Sequence, residues 1–267
     1  MAKLLNGREL RDFIKERQAH QVRGLRQHFR VVPRLAIIET TNSPVSSLYT
    51  KLKKSYGQDI NIEVDIYSIS MDQVDDTLSK LNIDDSVKGI IIQLPLAEPD
   101  KTDELLNKIN PKKDVDGLGD KAKWQAATPT AINWLLAGYN VDLRNKNIVI
   151  VGQGRLVGAP LAKMWRDSGL AVSTLDISSG DLKPSLLKAD IIVTATGVAG
   201  LIKSDMIKPG ATVVDAGVSS EAGEMRGDLD LAVYDRDDLL LTPKKGGVGP
   251  LTVAALFDNV IQASYPE

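Results

Sequence analysis

The chain has 267 residues, 43% of them apolar and 25% charged, values of an ordinary globular protein that exclude disorder and fibrous repeats. Its formal net charge of −2 gives no electrostatic hold on a polyanion, so a nucleic-acid partner is not expected. Cysteine is absent and only His20 and His28 are present, which excludes thiolate nucleophiles, Cys-ligated zinc, iron–sulfur clusters and multi-His metal sites, so proton transfer must use Lys, Tyr or a carboxylate.

Strand-like and helix-like segments alternate. A charged helix runs from about residue 7 to 30 and carries both histidines on a solvated face. Residues 34–39 (RLAIIE) read as a short buried strand, and 60–67 (INIEVDIY) as one with apolar alternation. Residues 88–94 (KGIIIQL) form a continuous apolar run ended by Pro95. Helices are expected near 45–56, 72–81 and 100–108. The turn-rich stretch 110–130 precedes a helix near 130–138. A second series follows: NIVIV, LAVSTL, ADIIV and ATVV as strands, and a last helix at about 251–264. The alternation predicts parallel sheets covered on both faces, divided between two α/β domains. No run approaches the roughly 18–20 apolar residues of a membrane span, and MAKLLNGREL lacks a signal-peptide core. A cytoplasmic protein without membrane contact is expected.

Gly152-Gln153-Gly154-Arg155-Leu156-Val157-Gly158 sits between a strand and an apolar helix. The first glycine permits a tight turn, the second lets backbone approach a diphosphate, and the third allows close packing. The diphosphate would lie at a helix N-terminus. The next strand ends at Asp176, placed to accept hydrogen bonds from the adenosine ribose and to repel a 2′-phosphate. No Arg or Lys adjoins Asp176, so NAD is favoured over NADP as the dinucleotide.

Tyr49 and Lys53 stand four apart on a helix that Pro44 is placed to start, so they share a face. A phenol beside an ammonium can handle protons once burial depresses the lysine pKa; an amphipathic helix with a snorkelling lysine is the bland alternative. Gln93 follows the buried strand GIII, at the end where parallel sheets bind ligands. The loop KKDVDG places Asp114 and Asp116 where a carboxylate can grip an amino-pyrimidine edge through two N–H donors, or merely form a turn. The segment 239–256 sets three glycines and two prolines between strand-like and helical stretches.

In combination, SPVSSLYTKLK, GIIIQLPL, INPKKDVDGL, VGQGRLVGAP, ADIIVTATG, IKPGATVVDAGV, GDLD and TPKKGGVGPLTVAAL resemble the methylenetetrahydrofolate dehydrogenase/cyclohydrolases of one-carbon metabolism, in order and over nearly the whole chain. The resemblance implies a folate-binding catalytic domain over residues 1–125 and a Rossmann-type dinucleotide domain over 126–250. A cleft would lie between them, with helix 251–267 returning to the first domain. It implies oxidation of 5,10-methylenetetrahydrofolate to the methenyl form with NAD or NADP, hydrolysis to 10-formyltetrahydrofolate, a homodimer and no metal. Carried over by residue, Lys53 looks like the family's catalytic lysine, Tyr49 like its pterin-stacking tyrosine and Gln93 like the glutamine bonded to that lysine. Asp116 looks like the aspartate on the amino-pyrimidine edge. Ser46, Gly246, Gly247 and Pro250 match further folate-side positions. Many relatives read Gly-Arg-Ser where this chain has Gly152-Gln153-Gly154, and usually carry Pro where Lys245 stands. A member with only one of the two activities, or a non-catalytic NAD-sensing protein on the same scaffold, is the competing reading.

Overall fold

The computed structural model describes residues 3–41, 44–221 and 224–266. In chain order the elements are β1 (Lys3–Leu4), α1 (Gly7–His28), β2 (Arg34–Glu39), α2 (Pro44–Asp59), β3 (Glu63–Ser68), α3 (Val74–Ile83), β4 (Gly89–Ile92) and α4 (Thr102–Lys108). They continue with α5 (Ala127–Gly138), β5 (Ile148–Val151), α6 (Gly158–Asp167), β6 (Val172–Leu175), α7 (Lys183–Leu186), β7 (Ile191–Thr194) and β8 (Thr212–Asp215). The hairpin β9 (Ser219–Glu221) and β10 (Glu224–Arg226), then β11 (Leu240–Leu241) and α8 (Val248–Ser264), complete the chain. Contacts divide it into two compact units: Asp12–Ala127 with Val253–Glu267, and Met1–Arg11 with Thr128–Thr252.

The first unit holds a parallel three-stranded sheet in the order β3-β2-β4. Leu35 to Ile38 are fully buried because β2 is the middle strand, covered on both faces. Strand β3 starts three residues later than the apolar alternation suggests. Asn61 takes a left-handed turn (φ 61°), and Ile62 N–H donates back to Gly57 O at 2.8 Å, so the chain is still leaving α2 there. That helix lies close on the sheet: a Cβ on Gly57 would stand 2.5 Å from a Val64 methyl. Tyr56 stacks on Phe257 of α8 (centroids 5.2 Å apart) and donates to the buried Gln18 of α1 at 2.8 Å. Gln18 in turn donates to Ala254 O. A satisfied polar group in an apolar setting fixes one helix arrangement.

The second unit is a parallel six-stranded sheet in the order β1-β11-β8-β7-β5-β6. Strands β5 and β7 are buried along their whole length. The chain runs outward from β5 to β6 on one side and to β7 and β8 on the other, which creates the crevice at strand carboxyl ends that such sheets use for ligands. Two strands exceed the four read in the sequence. The first eleven residues count with this unit, although the division at 125/126 puts them in the first domain. Their tie is β1 on β11: Lys3 N–H donates to Leu239 O (3.2 Å) and Leu5 N–H to Leu241 O (2.8 Å). A two-residue strand has no periodicity to read. No helix among the described residues is long and apolar enough to cross a membrane.

Candidate functional site

In the three-stranded unit, α2 carries Tyr49 and Lys53 on one face, β4 delivers Gln93 at its carboxyl end, and the loop after α4 carries Asp116. Lys53 is only 9% exposed, and its Nζ donates to Gln93 Oε1 at 2.8 Å. The Gln93 backbone stays in the sheet through its N–H bond to Ile38 O (2.8 Å), and its amide nitrogen donates to Leu94 O (3.1 Å). The amine is thus held against an acceptor rooted in the sheet. Burial lowers the Lys53 pKa, and the charge of Asp116 opposes that drop. Burial raises the Asp116 pKa, and Lys53 opposes it in turn. Burial also raises the Tyr49 phenol. Such a lysine can take up and release a proton near neutrality more readily than an exposed one.

The two acids of KKDVDG have separate places. Asp114 is 1% exposed and accepts from the N–H groups of Gly117 (3.0 Å) and Gly119 (2.8 Å). Gly117 adopts φ 71°, a conformation suited to glycine. The loop is pinned to β4 by Ile90 N–H on Lys113 O (2.7 Å), and Asn259 of α8 donates to Val115 O and Gln125 O, both at 2.9 Å. Asp114 is therefore committed to its own loop, while Asp116 is the acid coupled to Lys53. Ser46 lies within α2, and its side chain is outside the described residues. One group was missed in the sequence. Glu39, ending β2, accepts from the buried Thr50 of α2 (3.1 Å) and from Ser68 of β3 (2.6 Å), and so fastens the helix that carries Tyr49 and Lys53. Its only signal was a lone acid closing an apolar strand.

In the six-stranded unit the glycine turn links β5 to α6. Gly152 has φ 93°, and a Cβ there would stand 2.5 Å from Ala195 O. A Cβ on Gly158 would stand 1.8 Å from Gly152 O, so the third glycine closes the turn onto its own first residue. A Cβ on Gly154 would meet nothing within 4 Å. The middle glycine therefore faces open space beside a helix N-terminus, which fits a dinucleotide diphosphate. Gln153 donates to Gly152 O at 2.9 Å. Asp176 is exposed and caps the short turn 177–179, accepting from Ser178 N–H (2.8 Å) and from the hydroxyls of Ser178 (2.6 Å) and Ser179 (3.2 Å), which lowers its pKa. The acid is held as a carboxylate at the carboxyl end of β6. Gly246 (φ 94°) and Gly247 follow β11 in the same unit, and Pro250 sits in the first turn of α8, where its missing N–H costs no helix bond.

Comparison with known proteins agrees with this layout. Residues 5–116 match the tetrahydrofolate dehydrogenase/cyclohydrolase catalytic domain, and residues 126–266 match the NAD(P)-binding domain of the same family. The chain is 34% identical over 275 residues to the bifunctional protein FolD of Lactobacillus helveticus, covering 98% of this chain and 97% of that one. The bifunctional FolD dehydrogenase/cyclohydrolase of Campylobacter jejuni superposes with a TM-score of 0.92 at 33% identity, over 99% of both chains. The Trypanosoma brucei FolD, solved with NADP and an inhibitor, gives a TM-score of 0.92 at 25% identity, over 98% of this chain and 97% of that one.

Proposed function

This chain belongs to the tetrahydrofolate dehydrogenase/cyclohydrolase family, and we propose from that membership that it oxidises 5,10-methylenetetrahydrofolate to 5,10-methenyltetrahydrofolate and hydrolyses the product to 10-formyltetrahydrofolate. The observation that carries the reading is the buried Lys53 bonded to Gln93 and coupled to Asp116, inside the matched catalytic domain.

In the first reaction a hydride leaves the methylene carbon between N5 and N10, and a bound nicotinamide supplies the acceptor for that electron pair. The chain's part is to orient and to exclude water. Asp116 would hold the amino-pyrimidine edge of the pterin and Tyr49 would stack on its ring; family resemblance also assigns Gly246, Gly247, Pro250 and Ser46 to folate binding. In the second reaction the substrate carbon is cationic. Water adds to it, and Lys53 in its amine form takes the proton that the water loses. The N5–carbon bond of the adduct then breaks as the proton held on Lys53 passes to N5; the adduct's hydroxyl proton goes to the amine so regenerated and on to solvent, leaving the formyl group on N10 and one proton released overall. A permanently charged lysine would repel the cation, so the burial that lowers the Lys53 pKa serves the step.

The diphosphate of the dinucleotide would lie on the turn built by Gly152, Gln153, Gly154 and Gly158, and Asp176 would bind its adenosine ribose. Asp176 as a carboxylate, and the absence of a basic side chain at 153, support NAD over NADP. Family resemblance supports a homodimer and a cytoplasmic location.

The test is absorbance with methylenetetrahydrofolate plus either dinucleotide. Reduced dinucleotide and methenyl-folate should appear together, and methenyl-folate should then decay above its buffer rate. Lys53→Met should abolish that enzymatic decay, and undiminished turnover would reject the assigned role.

A further inference from the structure

Beyond the residues that meet the ligands, a buried acid and a part-buried one tie together the loops at the carboxyl ends of β7 and β8. Asp228, fully buried, accepts from the Thr194 hydroxyl, from Thr196 N–H at 2.6 Å and from Val198 N–H at 3.1 Å, the last shared with the Thr196 hydroxyl. Asp215, the last residue of β8, accepts from Gly217 N–H (3.0 Å), Asp228 N–H (3.1 Å) and Leu229 N–H (3.1 Å). Each carboxylate packs on a glycine beside the other. A Cβ on Gly217 would stand 2.0 Å from Asp228, and one on Gly227 would stand 2.1 Å from Asp215. The braced loops touch, since a Cβ on Gly197 would lie 3.5 Å from Val218 O. Both present a half-exposed apolar side chain, Val198 at 52% and Val218 at 49%.

The place of these loops follows from the strand order. The diphosphate turn follows β5, and Asp176 marks the adenosine side at β6. The other half of the ligand must then extend past β7 and β8. We propose that Asp215 and Asp228 are positioning residues that hold these two loops in the geometry the nicotinamide half of the dinucleotide requires. The inference rests on the dinucleotide part of the functional reading and not on its folate chemistry.

Stability alone does not account for the pair. Burial and the charge of Asp228 push the Asp215 pKa up to about 6, so near neutral pH the fold sustains two acids set against each other. Tyr234 also faces them, its pKa raised by burial and by both acids, with the Lys244 ammonium 5.1 Å from its ring centroid. An acid whose pKa is raised in this way is more common at functional sites than elsewhere on a fold.

The test is calorimetric titration of the whole protein, free of folate, with NAD and with NADP, for wild type and Asp228→Asn. An asparagine offers one acceptor oxygen where the carboxylate offers two, and its amide would face the N–H of Thr196 or of Val198. Removing a negative charge would by itself tighten an anionic ligand; the brace predicts the reverse, a dissociation constant raised about tenfold or more. In turnover the KM for dinucleotide should rise with most of kcat regained at saturation. Thr194→Val, which keeps shape and removes one donor to Asp228, should weaken binding in the same direction by a smaller factor, and decides the matter if Asp228→Asn does not fold. Unchanged or tighter binding in a folded variant would overturn the proposal. So would kcat falling with the melting temperature while KM stays fixed. A wild type that binds dinucleotide but does not turn over folate would refute the functional reading and leave this inference standing.

Discussion

Replacing Gln93 by Met tests how the amine of Lys53 is tuned. The substitution keeps a chain of similar length and removes the oxygen that accepts from Nζ at 2.8 Å. A hydrogen bond to a charged group contributes roughly 1.5–3 kcal/mol, and its loss falls mainly on the ammonium form, because the neutral amine donates more weakly. One pH unit corresponds to about 1.36 kcal/mol, and the half-buried glutamine leaves room for water to replace part of the bond, so the lysine pKa should drop by about one further unit. Burial already lowers it, and the variant moves it the same way. The assay is methenyl-folate hydrolysis, corrected for the buffer reaction, from about pH 5.5 to about pH 9. If Lys53 acts as the base, the ascending limb of the pH–rate profile should move to lower pH by about one unit. The plateau should fall, because a weaker base accepts the proton less well. A limb that stays in place or moves upward would refute the reasoning.

Other consequences are open to measurement. Asp176→Ser removes the charge facing a 2′-phosphate, and the ratio of kcat/KM for NADP over NAD should rise about tenfold or more; a wild type that already prefers NADP strongly would overturn the reading of Asp176. Gly158→Ala sets a Cβ against Gly152 O at 1.8 Å, both partners being backbone, so thermal unfolding should show a loss of about 3 kcal/mol with loss of dinucleotide binding. Gly154→Ala meets nothing within 4 Å and should leave the melting temperature unchanged while weakening dinucleotide binding. An equal loss of stability in both variants would refute the division of labour within the turn.

The central strands were legible because continuous apolar runs such as GIII and IVIV can only be buried on both faces. The glycine turn was legible because its spacing is itself a backbone requirement. Strands β1 and β11, two residues each, were not, since their pairing joins chain positions more than 230 residues apart. Within the site, the sequence named Lys53 and Gln93 as candidates by resemblance, but 40 residues separate them and no local pattern encodes their bond. Asp114 and Asp116 were equivalent as letters in a loop, and only the resemblance singled out Asp116. What separates them is which carboxylate the amides of Gly117 and Gly119 capture. Asp215 and Asp228 stood inside matching motifs without a task, because the twelve residues between them, β9 and β10 included, carry no pattern that pairs the two acids.

The fastening of α2 at Glu39 has a consequence for how this protein can change. The proton-carrying amine rides on a helix, whereas its acceptor grows from a sheet, and the two are kept in step by the hydroxyls of Thr50 and Ser68 meeting one carboxylate from behind. Sliding the helix by a fraction of an ångström would stretch the amine's contact and carry Tyr49 with it, without replacing any residue assigned to folate. Drift at these three positions can therefore shift the balance between the oxidative and the hydrolytic half of the cycle while every substrate-facing side chain stays the same.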